Sequence, residues 1–160
     1  MNDLNQKLEH WIKNTLSKPN PIFNNMSACP YAKKAWLDNK VEIRSFVSWV
    51  DAYTELLVRT FDFDKFDVVI FAFPHNTIVP AQLTDIIVNL QKMWKNKDIA
   101  ILEDHPDEIE QVKDFNLNFG ECCLLLIQSR SKLQEARAYL ESKDYYKNWD
   151  PEYKQDVQSR

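Results

Sequence analysis

The sequence predicts an α/β layer structure, a mostly parallel four-stranded sheet flanked by helices, on three observations. The run Asp67 to His75 is apolar, rich in β-branched and aromatic residues, and stopped at Pro74, so it reads as a strand buried on both faces. The run Glu121 to Gln128, with its Cys-Cys-Leu-Leu-Leu-Ile core, reads the same way. Around them, stretches of helical spacing alternate with strand-like ones, and parallel strands need crossover helices. The alternative is a ferredoxin-like α+β arrangement with some antiparallel pairing.

Taken in order, Leu4, Leu8, Trp11, Ile12 and Leu16 recur at spacings of three and four, which predicts an amphipathic helix over 3–17, ended by Pro19 and Pro21. A polar loop follows over 18–28. Pro30 then suits the first position of a short helix carrying Ala32, Ala35 and Trp36. Val41 to Val47 alternates apolar with polar residues, the period of a strand. Ser48 and Asp51 match a capping box for a helix through Leu56 and Leu57.

After the strand ending at His75, Pro80 opens a long helix along Leu83, Ile87, Leu90 and Trp94. Residues 98–102 form the third strand. Asp107 and Glu110 fit the start of a short helix with Ile109, Val112 and Phe115, which would carry the chain across to the fourth strand in the parallel sense. Ser131 and Gln134 open a last helix through Leu133, Ala136 and Leu140. The reading is one globular domain over 1–146 and a C-terminal tail over 147–160, packed on the body in its first half and free of it in its last residues.

A chain of 160 residues holds one core. The net charge of −4, without a Lys/Arg stripe, excludes the electrostatic footprint of nucleic-acid binding. No apolar segment approaches the roughly 20 residues that span a bilayer, and no secretory apolar core opens the chain, so a cytoplasmic protein is expected. Three cysteines, Cys29, Cys122 and Cys123, argue against a disulfide framework. A single glycine excludes P-loop and dinucleotide-binding fingerprints, and no cofactor is expected.

The motif Ser27-Ala28-Cys29-Pro30-Tyr31-Ala32-Lys33, lying after a Trp-bearing helix, resembles the Leu-Cys-Pro-Phe-Ala signature of an uncharacterised bacterial family, domain of unknown function 1415. Phe73-Pro74-His75 and Asp104-His105-Pro106 occupy places comparable to that family's two His-Pro strand ends. Ala28 and Tyr31 depart from its Leu and Phe, and the first His-Pro order is reversed. The resemblance implies a fold relation and no reaction.

With the strands parallel, His75, Glu103, Asp104, His105 and Arg130 would emerge on one edge of the sheet, where ligands bind in open α/β folds. His75 and His105 are the candidate acid/base groups, with Glu103, Asp104 and Arg130 as candidate ligand-binding groups for an anionic small molecule. Cys29, just ahead of a helix-initiating Pro, is a third candidate catalytic residue, because a helix N-terminus favours thiolate. The histidines lack the close spacing of a metal pair, and no metal is expected. Whether the protein is an enzyme stays open. The alternative is a non-enzymatic interaction or accessory module, in which the aromatic tail from Tyr145 to Tyr153 or an exposed sheet edge docks a partner or a second copy of the chain.

Overall fold

The computed structural model describes residues 2–160. Four strands form its central sheet: β1 (Val41–Ser45), β2 (Val68–Phe73), β3 (Ala100–Asp104) and β4 (Cys123–Gln128), in the order β1-β2-β4-β3. Among the described residues there are six α-helices: α1 (Asn2–Trp11), α2 (Ala32–Leu37), α3 (Trp49–Val58), α4 (Pro80–Met93), α5 (Arg130–Ser142) and α6 (Pro151–Ser159). None is long and apolar enough to cross a membrane.

The local signals work through their expected chemistry. Ser48 Oγ accepts from the Asp51 N–H at 3.2 Å and starts α3. Pro80 occupies the first turn of α4, where its missing N–H costs nothing. At α5 the cap is Ser129, two residues earlier than the sequence predicts; its Oγ accepts from the Lys132 N–H and donates to Asp98. α1 runs into a π-helical turn, Ile12–Leu16, where regular α-helix was expected.

The sheet is mixed and mostly antiparallel, which corrects the parallel expectation. Only β1 and β2 pair in parallel; β4 lies between β2 and β3 and runs against both. The physical reason is residues 105–122. The spacing of Ile109, Val112 and Phe115 imitates a helix, but this segment is a two-stranded ribbon, Gln111–Val112 against Phe115–Asn116, turning at Lys113 with φ 54°. A ribbon at the sheet edge turns the chain back without crossing a face, so β4 enters antiparallel.

Each face of the sheet has its own core, because side chains alternate along a strand. Val69, Phe71, Phe73, Ile101, Leu125 and Ile127 pack under α3 and α4. On the other face Ile70, Ala72 and Leu124 meet Leu8, Trp11 and Ile12. Cys122 and Cys123 accordingly fall on opposite faces, both as free thiols. A third cluster joins Phe23, Val112, Leu140, Tyr145 and Tyr146, with Trp149 and Tyr153 packed against it.

The two sheet edges are guarded differently. On β1, Glu42 and Arg44 point at α3 and form ion pairs with Arg59 and Glu55, Arg59 meeting Glu42 at 2.6 Å. Charges held on an edge strand discourage pairing with another chain. On β3, the outward Ile101 N–H donates to Gln91 Oε1 at 3.1 Å. The final residues are not free of the body: α6 is capped by Asp150, and Arg160 is ion-paired with Glu103.

Candidate functional site

Because β2 and β3 both run against β4, they point the same way, and their carboxyl ends share an edge with the start of β4. His75 and His105 therefore meet there, with ring centroids 6.4 Å apart and planes near perpendicular. Arg130 does not join them. It follows β4 at the opposite edge, where its guanidinium donates to the Lys95 carbonyl. The expectation of a five-residue rim fails on the direction of this one strand.

The groups that do gather are mostly committed to holding the fold. His105 is 1% exposed, its Nδ1 accepting from the Asp107 N–H at 3.1 Å and its Nε2–H donating to the Ile78 carbonyl at 3.0 Å. Both ring nitrogens are thereby occupied, leaving none for a substrate proton. Asp104 accepts from Asn118 Nδ2 at 2.7 Å and from the Phe119 N–H at 2.9 Å, anchoring the ribbon; burial raises its carboxyl, against those two bonds. Glu103 points at α4 and α6. Burial raises it too, and the Arg160 guanidinium opposes that shift. His75 is exposed.

Cys29 sits elsewhere, with its N–H on the Leu16 carbonyl at 2.8 Å. Burial pushes its thiol up, outweighing the backbone N–H groups of Ala32 and Tyr31 that point at the sulfur. The helix it precedes, α2, has only 6 residues. Desolvation defeats the expected thiolate.

What Cys29 does is line a cavity of about 510 Å³, the feature that sequence reasoning missed. Its floor is one patch of the sheet. Val41, Val68 and Gln128 pair side by side across three strands, Ile70 pairs with Leu126 one step further in, and all five line the cavity. One wall is Trp11, Ile12 and Leu16, from the end of α1 and its π turn. The roof is built from Ala32 and Ala35 on α2 and Leu133 and Ala136 on α5.

The cause of the cavity is side-chain size. Helices cross a sheet at a distance that long side chains fill, and three of those four roof residues are alanines. Leu126, in a central strand between two neighbours, is consequently only half-buried, whereas Leu125 on the other face is fully buried. The π turn adds to this by widening the helix where Ile12 and Leu16 face the space, and π segments recur at functional sites.

The mouth carries Lys34, Asp67, Lys132 and Glu135. Among the described residues no group of three His, Cys, Asp or Glu side chains is placed to hold a metal ion. Comparison with protein-family models, curated proteins and solved structures found no match for the chain.

Proposed function

We propose that the protein binds an apolar small molecule in the cavity walled by α1 and roofed by α2 and α5. One observation carries the reading: about 510 Å³ of space, walled by aliphatic and aromatic side chains from the sheet and three helices, is within the size range of small-molecule sites. The proposed kinship with domain of unknown function 1415 fits it in one respect, since Cys29 and Ala32 of the motif, and Tyr31 at the place of its Phe, all line the cavity. The strand-end histidines support a site less well, because His105 has both nitrogens engaged within the fold. An interaction module built on the C-terminal aromatics is also less well supported, because Tyr145 and Tyr146 are buried in the third cluster.

Titration with the uncharged dye phenylnaphthylamine tests the proposal. Saturable fluorescence enhancement at one dye per chain is expected for the native protein. Ala136→Phe places a ring in the cavity and should abolish the enhancement while leaving the circular dichroism and melting temperature intact. No uptake by the native chain, or undiminished uptake by a folded Ala136→Phe variant, refutes the reading.

A further inference from the structure

Resting on that reading of the cavity, we infer that the occupant is a neutral amphiphile: an apolar body within the cavity and an uncharged hydrogen-bonding head at the Gln128 carboxamide. This reverses the anionic ligand expected from the sequence. The inference comes from the polar groups that the cavity offers and from the state of the charges at its mouth.

Inside, the polar lining is uncharged. Gln128 lies on the floor beside Val68, and Cys29 lines the same cavity with its thiol held protonated by burial. Ser129, the next residue, is committed to Asp98 and to the α5 cap. Trp11, in the wall, carries a buried indole N–H without a partner, which can only donate, and Tyr31 is exposed; the Gln128 carboxamide both donates and accepts, which suits a hydroxyl, carbonyl or amide.

At the mouth, two lysines and two carboxylates balance one another, so no net field draws in a charged head. The lysines are also engaged. Lys34 is ion-paired with Asp38 and has Asp67 as a second acidic neighbour. Lys132 donates to the Phe63 carbonyl. A carboxylate entering here would be drawn off water without a free cation to receive it, and an ammonium would reach Asp67 and Glu135 only at the exposed mouth, with the two lysines beside them, so either charge inside binds at a desolvation cost that a hydroxyl avoids.

The test is competition against bound phenylnaphthylamine by decanol, decanoate and decylammonium, three molecules with the same tail and different heads, each kept below its micelle concentration. Decanol should displace the dye at about tenfold lower concentration than either ion, a gap that corresponds to about 1.4 kcal/mol. Gln128→Leu should weaken decanol about fivefold relative to the dye's own affinity for that variant, the scale of one neutral hydrogen bond. Decanoate or decylammonium matching decanol, or decanol unaffected by Gln128→Leu, overturns the inference while the cavity reading stands. Failure of the dye to bind at all removes the cavity reading itself.

Discussion

Adjacent leucines in β4 give a direct measure of whether the cavity is open in solution. Leu125 is fully buried on the α3/α4 face, within the cluster that includes Phe71, Leu83 and Ile87. Truncating it to Ala removes a close-packed side chain and leaves a void the neighbours cannot refill, at a cost of about 3–5 kcal/mol. Leu126 is half-buried on the opposite face, over the cavity floor, where part of its surface already lacks partners. Leu126→Ala forfeits only the partial transfer of its methyl groups and enlarges a space that exists, a cost of about 1 kcal/mol. Urea denaturation of the two variants, with the slope of the transition compared to exclude a change in the unfolded state, reads the difference. In a chain of this size each kcal/mol corresponds to about 2–4 °C in melting temperature, so the variants should separate by roughly 4–16 °C. Equal destabilisation by the two substitutions would mean that the α2 and α5 roof collapses onto Leu126 in solution, and the ligand argument would fall with it.

The other predictions concern groups assigned here to structure. His105→Ala orphans the Ile78 carbonyl and the Asp107 N–H and should cost about 2–4 kcal/mol, whereas exposed His75→Ala should change stability by less than about 0.5 kcal/mol; the reverse order in chemical denaturation would contradict the geometry. Arg160→Met leaves the buried Glu103 carboxylate unpaired, for a loss of about 3–5 kcal/mol, and adding Glu103→Gln should restore most of it. An additive double variant would mean the pair does not interact. At alkaline pH, burial holds the Cys122 and Cys123 thiols up to about 11 and about 12, from an ordinary 9.0. The unfolded chain then releases these protons first, so their stability contribution is complete below pH 9.0 and is lost as pH rises toward 11 and 12. Melting temperature should fall through that window, and less steeply in a Cys122→Ser, Cys123→Ala variant. Parallel curves would show that other groups, such as the Tyr145 and Tyr153 phenols that burial also raises, dominate.

Much of the element order was legible because its signals are local. The run at Asp67 to His75, the Ser48 cap and the Pro80 start depend on residues within a few positions of one another, and each acts as its chemistry requires. Strand direction was not legible, because it turns on whether residues 105–122 cross a face or fold back. Lys113 in a left-handed turn decides that, and nothing in the type of this residue announces it. The same error moved Arg130 to the wrong edge, while His75 and His105 stayed together because the strands before them do point the same way. The tail misled for another reason: Arg160 finds Glu103 through α6, a contact across 57 positions that no spacing rule contains. The cavity was hidden because Ala32, Ala35 and Ala136 read as ordinary small residues on helical faces. Only their assembly over one patch of sheet makes an opening.

That assembly packs the two faces of one sheet differently. The strands supply large side chains to both: Phe71 and Leu125 to one, Ile70 and Leu126 to the other. The difference lies in the helices, since α4 answers with Leu83, Ile87 and Leu90, and α2 and α5 answer with three alanines and Leu133. A core closed on one face secures the fold with part of the other left unfilled, so that part need not reach interior packing density. An occupant entering it would add burial that the empty protein lacks, and because it would bind the folded chain and not the unfolded one, its affinity would appear directly as stability. With an occupant bound, the alanine-rich roof would make ligand binding and folding additive, which a roof of leucines would forgo.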